Sequence, residues 1–100
     1  MTRLSLTLAA LVCVSMAVPA VAYTGQKLAK NAQITMPQAE AIALKAHPGK
    51  ITDEELEKEQ GGSGLRYSFD IKGTGPVAEV GVDAQTGSVL ENTKEGANPD

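Results

Sequence analysis

Two short runs of the chain alternate apolar and polar residues, and they give the strongest structural signal. From Leu65 to Lys72 the alternation is strict, which predicts a β-strand with one buried face and one face in solvent. Alternation resumes over residues 78–83, after the turn-like residues 73–76, and predicts a second strand that pairs antiparallel with the first. The polar positions form a candidate partner-binding surface on the open face of the sheet, and they are Arg66, Ser68, Asp70, Lys72 and Glu79.

A compact turn signal follows the second strand. Asp83 can accept hydrogen bonds from backbone N–H groups two or three residues ahead, and Gly87 can take the left-handed conformation that closes a hairpin. We therefore predict a structural turn formed by Asp83, Thr86 and Gly87. Residues 88–93 are predicted to be the last strand, because they continue from this turn with further apolar content.

A helix is predicted upstream of these strands, between two boundary signals. Thr35 can cap the first turn with its hydroxyl group, and Gln38 stands three residues later, which is the spacing of a capping box. Apolar residues recur at helical spacing until Pro48 and Gly49, which end the helix. The predicted buried face consists of Ala39, Ile42, Ala43 and Ala46. Because alanine is small, such a face lets the helix backbone lie close on a sheet.

Residues 51–60 are ambiguous by local criteria. Their charged residues favour a helix by propensity, and Thr52 with Glu55 imitates a capping box. The same residues also suit a charged edge strand, because the Gly-Gly-Ser-Gly sequence at 61–64 is a natural hairpin loop into the strand that begins at Leu65. Both alternatives remain open on local grounds.

The N-terminus has the pattern of a Sec-type secretory signal peptide over residues 1–22. Arg3 supplies the positive charge, residues 4–18 form an apolar run, and the small-x-small sequence before Tyr23 predicts cleavage after Ala22. An apolar run of about 15 residues is shorter than the roughly 20 that span a bilayer, so we expect no stable membrane anchor after cleavage. The expected location is the periplasm, or the medium if the protein is secreted.

The rest of the chain is expected to form one small domain with flanking segments. Residues 23–33 are polar with little apolar periodicity and are predicted to be a flexible leader. Residues 34–94 contain the predicted helix and strands, and residues 95–100 are predicted to be a disordered tail. The expected fold class is α+β, with one N-terminal helix packed on a three- to four-stranded antiparallel sheet.

Charge and cysteine content exclude several classes of function. The chain carries 9 basic and 12 acidic residues, for a net charge of -3, and 3% of its residues are aromatic. Because nucleic-acid binding needs a basic surface and usually stacking aromatic rings, we expect no nucleic-acid partner. The single cysteine, Cys13, lies in the predicted signal peptide, which leaves the mature chain without a disulfide or a thiolate metal ligand.

The sequence offers no catalytic constellation. His47 is the only histidine, and none of the serines stands in a Gly-x-Ser-x-Gly context. The residues from Gly73 to Ala78 formally match a dinucleotide-binding fingerprint, but a strand rather than a helix is predicted to follow the turn. We therefore predict a protein that is not an enzyme and that has neither a cofactor nor a metal site.

The acidic segment before the Gly-rich loop suggests one alternative function. Four glutamates could gather a hard cation such as Ca²⁺, although no calcium-loop motif is present and a solvated acidic face is the preferred interpretation. They are Glu54, Glu55, Glu57 and Glu59. Together with His47 they leave open a small periplasmic protein that binds a cation or a small ligand.

Three parts of the sequence together resemble the PepSY domain, which occurs in propeptides of thermolysin-type metallopeptidases and in free-standing envelope proteins. They are the helix boundaries at 34–39 and 46–49, the strand at 67–71, and the strand, Asp-Ala-x-Thr-Gly turn and strand at 80–90. The last part is the most specific. The resemblance implies one helix packed on an antiparallel sheet, and it favours a strand for residues 51–60.

The resemblance also implies a function without catalysis, in which the domain binds and restrains or assists a peptidase or another envelope protein. Because no peptidase domain follows Thr93 in this sequence, we expect the partner to be met in trans. The predicted function is therefore an exported domain that binds and modulates a protein partner, with inhibition of an envelope peptidase as its specific form. An assembly or stress-response role with another envelope protein is a further alternative.

Overall fold

A computed structural model describes residues 22–94 and shows one helix packed on a four-stranded antiparallel sheet. The elements are a 3-10 helix Gln26–Asn31, α1 Met36–Ala46, β1 Lys50–Lys58, β2 Leu65–Lys72, β3 Ala78–Asp83 and β4 Val89–Lys94. The strands are ordered β1-β2-β3-β4, so each pairs with its neighbour in sequence. The predicted α+β fold class is confirmed. The predicted signal peptide, except for Ala22, and the predicted tail lie outside the described residues.

One face of the sheet forms the core, and the alternation of β2 and β3 supplies most of it. The apolar positions of these two strands are all at least nine-tenths buried: Leu65, Tyr67, Phe69, Ile71, Ala78, Val80 and Val82. Tyr67 satisfies its buried hydroxyl group by donating a hydrogen bond to the carbonyl oxygen of Ile34, 2.7 Å away. The core is therefore a single layer of side chains between the sheet and α1.

Helix α1 begins with the predicted capping box. The Gln38 N–H donates to Thr35 Oγ1 at 3.2 Å, and the Thr35 N–H donates to Gln38 Oε1 at 2.8 Å. Met36, Ala39 and Ala43 are buried against the sheet, whereas the predicted face members Ile42 and Ala46 are only half-buried. The helix ends at Ala46, with His47 as its C-cap, where the sequence predicts.

Residues 50–58 form an edge strand, which resolves the ambiguity left by local sequence criteria. Strand β1 pairs antiparallel with β2 along its length, with a register shift between Ile51 and Asp53. Leu56 contributes the buried apolar side chain of this strand, at 1% exposure. A helix would satisfy its own backbone groups but would leave this edge of β2 unpaired and would not place Leu56 in the core, so tertiary context overrides the helix propensity of the glutamates.

Residues 23–33 are attached to the sheet, and the prediction that they form a free leader is wrong. The Leu56 N–H donates to the carbonyl oxygen of Thr24 at 2.9 Å, which adds a parallel bridge to the outer edge of β1. Leu28 and Ala32 then pack against the core. The sequence pattern missed this segment because main-chain hydrogen bonds and isolated apolar side chains leave no periodic signal.

The predicted last strand is present as β4, shifted by one residue at each end. It carries little of the core, since Val89 is 44% exposed and Leu90 is half-buried. Among the helices of the described part, none is long and apolar enough to cross a membrane.

Candidate partner-binding surface

The face of the sheet opposite α1 carries the polar residues of β2 and β3, and we call it the open face. In the β2–β3 register Asp70 lies opposite Glu79, and Ser68 lies opposite Gly81. Asp70 and Glu79 are half-buried, Ser68 is half-buried beside them, and Lys72 is exposed. Four of the predicted surface residues therefore lie together on one accessible face.

Arg66 lies on the same face but is buried rather than exposed, so its predicted exposure is wrong. Only 6% of the residue is accessible. Its Nη2 donates to the carbonyl oxygen of Gln60 at 3.1 Å, and its Nη1 lies 3.2 Å from Glu91 Oε1 and 3.9 Å from Glu59 Oε2. The side chain can cross β3 because Gly81 has no side chain, and a Cβ there would lie 3.0 Å from Nη1.

Strand β1 adds carboxylates to the open face. The sequence pattern predicts the glutamates of this segment only as an acidic edge and does not place them on that face. The register places Asp53 opposite Asp70, Glu55 opposite Ser68 and Glu57 opposite Arg66. We call Asp53, Glu55 and Glu57 the acidic row. Ser68 Oγ donates to Glu57 Oε2 at 2.7 Å and fixes one member. The alternation of β1 would have revealed this row had the strand been assigned from the sequence.

The electrostatics of Glu55 reflect this concentration of negative charge. Burial raises the pKa of the Glu55 carboxyl, and so does repulsion from four carboxylates around it. They are Glu57, Asp53, Asp70 and Glu59, in decreasing order of effect. Since repulsion of this kind disfavours the ionised form, a cationic group placed over the row would be stabilised by the same side chains.

Glu54 lies on the opposite side of β1 from the acidic row, so the four glutamates of the predicted acidic edge are divided between two faces. Its register partner is the core residue Phe69. Burial raises the Glu54 pKa to about 7, and a hydrogen bond with Glu40 and the charges of Glu40 and Asp53 add to the increase. The two glutamates border a groove of about 830 Å³, which is also lined by residues 22–24 and 51–53.

The turn between β3 and β4 is organised by the buried carboxylate of Asp83, as the sequence predicts. Asp83 accepts hydrogen bonds from the Ser63 N–H at 2.6 Å, Ser63 Oγ at 2.8 Å, the Gln85 N–H at 2.8 Å and the Thr86 N–H at 3.2 Å. Gly87 has a φ of 82° and donates its N–H to the Asp83 carbonyl oxygen at 2.8 Å. The carboxylate therefore joins the β1–β2 loop to the β3–β4 turn.

Hydrogen bonding determines the ionisation of Asp83. Burial raises the pKa of the carboxyl, but the hydrogen bonds from Ser63, Gln85 and Thr86 outweigh this effect and lower the pKa below its ordinary value. Ser63 is a donor to a stable carboxylate in this arrangement. Because its pKa is lowered, the Asp83 carboxylate is a weak base towards the Ser63 hydroxyl group.

The other chemical candidates from the sequence are not brought together. His47 is the C-cap of α1, and residues 73–75 form a turn between two strands, where Lys72 Nζ donates to the Gly75 carbonyl oxygen at 2.9 Å. Within residues 22–94, no three His, Cys, Asp or Glu side chains are grouped so that they could hold a metal ion.

These features define a small α+β domain with one face of its sheet closed by a helix and the other face polar and accessible. Comparison with protein families places it more narrowly. The profile of the family described as Peptidase propeptide and YPEB domain, PepSY, matches residues 33–93. Because this match covers more than half of the chain, the protein belongs to the PepSY family. No curated protein and no solved structure matches it.

Membership explains the specific sequence pattern around the β3–β4 turn. PepSY domains are in general non-catalytic propeptide or regulatory modules. The Asp-Ala-x-Thr-Gly sequence holds the turn through Asp83, Thr86 and Gly87, whose contacts are all within the chain. These hydrogen bonds give the most distinctive residues a structural role in the turn.

Proposed function

We propose that this PepSY domain binds a protein partner through the open face of its sheet and thereby modulates the partner's activity. The observation that carries the proposal is the division of the sheet into two faces. The apolar residues of both helices pack into the core on one face, whereas the other face presents polar and charged side chains on a rigid four-stranded frame. A rigid frame binds at low entropic cost because little is ordered on association.

The partner class we propose is a peptidase of the cell envelope, which the domain would restrain without catalysis. Two observations support this class. The family description names peptidase propeptides, and residues 1–22 have the pattern of a secretory signal. Export would place the mature domain in the periplasm or outside the cell.

The proposal can be tested by blocking the open face without altering charge. Ser68 is half-buried at the middle of β2, and Thr74 is exposed in the β2–β3 turn. Ser68→Tyr adds bulk to the open face, whereas Thr74→Tyr adds the same bulk elsewhere. The mature chain, residues 23–100, and the two variants would be immobilised and used to capture proteins from a periplasmic extract.

We expect the wild-type chain and Thr74→Tyr to retain the same protein, and Ser68→Tyr to lose most of it. Circular dichroism would establish that all three chains are folded. If the retained protein is a peptidase, the wild-type chain should inhibit its cleavage of a model substrate. Equal capture by Ser68→Tyr and wild type would contradict the use of this face, and absence of any retained protein would contradict partner binding itself.

A further inference from the structure

The proposed partner has a definable chemistry, because the open face is strongly acidic along one strand. Asp53, Glu55 and Glu57 occupy alternate positions of β1 on this face. Alternate residues of a strand are roughly 6.8 Å apart, so the row extends for more than 10 Å as separate charges. Glu59, half-exposed in its side chain, continues the row past the end of the strand.

The spacing favours several cationic groups over one metal ion. A Ca²⁺ ion needs six to eight oxygens at about 2.3–2.6 Å, and carboxylates one strand repeat apart converge poorly on a single point. Lysine or arginine side chains at alternate positions of an extended segment have the same repeat as the acidic row. Each cation can then meet one carboxylate, and a nucleic acid or an anionic membrane would be repelled.

The cations already on the open face leave the row uncompensated at its centre. Arg66 is held by Glu59, Glu91 and the Gln60 carbonyl oxygen. Lys50 and Lys72 lie opposite each other at the far end of β1 and β2. Charge is therefore distributed unevenly along the face, which has lysines at one end and carboxylates towards the other. This distribution would orient a docked segment.

A second feature of this face is an unsatisfied donor beneath its surface. Among the described residues, Arg66 Nε has no hydrogen-bond acceptor, on a residue that is only 6% exposed. A buried donor without an acceptor costs free energy. Because this N–H is buried, a main-chain carbonyl oxygen of a docked segment would reach it only after the Arg66 side chain moves outward, so the ion pairs along β1 are the main contact of the docked segment.

We infer that the open face binds an extended segment of the partner protein that carries lysine or arginine at alternate positions, aligned with Asp53, Glu55 and Glu57. This inference rests on the proposed function and specifies what the partner presents. The contact would be strongest at low ionic strength, because salt screens charges on an exposed face.

Fluorescent ten-residue peptides can test the inference on the mature chain, residues 23–100. The alternating probe has Lys and Thr in turn, the block probe has the same composition with its lysines contiguous, and the acidic probe has Glu and Thr in turn. Binding would be measured by fluorescence anisotropy at low salt and at 0.5 M salt. We expect the alternating probe to bind most tightly and to lose most of its affinity in high salt.

Two double variants, each of which removes two carboxylates, identify the face that binds when they are compared at about pH 8.5, above the Glu54 pKa of about 7. Glu55→Gln with Glu57→Gln neutralises the acidic row and keeps an acceptor for Ser68. Glu40→Gln with Glu54→Gln is the matched control on the opposite side of the sheet. Loss of two exposed ion pairs should raise the Kd of the alternating probe by about fivefold to tenfold, and the control should change it by less than about twofold.

Several results would overturn the inference. They are equal affinity for the alternating and block probes, equal loss in the two double variants, and absence of binding by the alternating probe. Failure of the inference is separable from failure of the proposed function. If the wild-type chain and Glu55→Gln/Glu57→Gln capture the same envelope protein equally well, the result supports partner binding. It contradicts the inference that the partner binds through a basic segment on the acidic row.

Discussion

The two faces of the sheet use the same strands and differ in what their side chains accomplish. On the helix side, Phe69, Ile71 and Val80 are at most 1% exposed, and their burial stabilises the fold. On the open side, the acidic row concentrates repelling charges, and the buried Arg66 Nε has no acceptor in the described part of the chain. The two-residue period of the strands separates the side chains that stabilise the fold from the face that we propose for recognition, so substitutions on either side should have separable effects.

The largest effect should come from the helix side of β2. Phe69→Ala removes a ring that is 1% exposed, and large-to-small core changes of this kind cost about 3 to 5 kcal/mol in the free energy of unfolding. Urea denaturation monitored by circular dichroism would measure the loss. A change below about 1 kcal/mol would show that the ring is outside the core.

A smaller but substantial effect is expected at the turn that joins the two hairpins. Asp83→Asn keeps the side-chain shape and replaces one acceptor oxygen with an NH₂ group, which cannot accept from Ser63 or the turn amides. Leaving buried donors unpaired costs about 1 to 3 kcal/mol. Equal unfolding free energies for Asp83→Asn and wild type at neutral pH would contradict the role assigned to the carboxylate.

The same carboxylate predicts a specific dependence on pH. Because the folded-state pKa of Asp83 is below its ordinary value of 3.8, its stabilising contribution is present above that pH and is lost as pH falls through the folded-state pKa. The stability of Asp83→Asn should therefore approach that of wild type in strong acid. A difference that stays constant down to pH 2 would oppose this explanation.

On the open face, the position of Arg66 should depend on the absence of a side chain at Gly81. Gly81→Val places a Cβ 3.0 Å from Arg66 Nη1 and 3.3 Å from its Cδ, which should displace the guanidinium group and cost about 1 kcal/mol or more. Gly75→Val is the control, since a Cβ at Gly75 meets nothing within 4 Å. Equal unfolding free energies for the two variants would remove the steric explanation for the glycine.

The smallest predicted effect is the titration of Glu54 in the groove beside α1. Its pKa of about 7 in the folded chain exceeds the ordinary value of 4.5, so the folded state holds the proton more tightly. The resulting stability is full below pH 4.5 and is lost as pH rises from there to about 7.

A neutral substitute should remove this pH dependence. Glu54→Gln should be less sensitive than wild type to a change from pH 4.5 to 8, as measured by the midpoint of urea denaturation. Glu57→Gln, on the other side of the same strand, removes a charge that raises the pKa of Glu55 but not that of Glu54, so it should keep the part of the pH dependence that Glu54 supplies. Identical pH profiles for Glu54→Gln and wild type would contradict the raised pKa of Glu54.

Local signals in the sequence predicted the parts of the fold that local chemistry determines. The capping box at Thr35 defines the start of α1, the alternation from Leu65 to Lys72 defines β2, and the residues from Asp83 to Gly87 define the turn. The cap and the turn contain hydrogen bonds between residues two or three apart, and the alternation of β2 is a local pattern although the strand itself pairs with distant residues. Short-range patterns are therefore sufficient for these elements.

The parts that local signals left open or missed depend on contacts between distant residues, and for residues 51–60 the strand favoured by the family resemblance is the one observed. Strand β1 forms because its backbone pairs with β2, although its glutamates favour a helix. Residues 23–33 are held by main-chain bonds such as that from Leu56 to Thr24. Arg66 is buried because Gly81, on the adjacent strand, leaves space for it. None of these relations has a periodic signature, so the pairing of the strands must be known first.

The division between the two faces is tested most directly by NMR titration of the ¹⁵N-labelled mature chain with the alternating Lys-Thr probe. We predict that the largest amide shift changes occur in β1 and β2, around the acidic row and Ser68, and that α1 is nearly unaffected. Shift changes centred on α1, or in the groove between Glu40 and Glu54, would show that recognition does not use the open face.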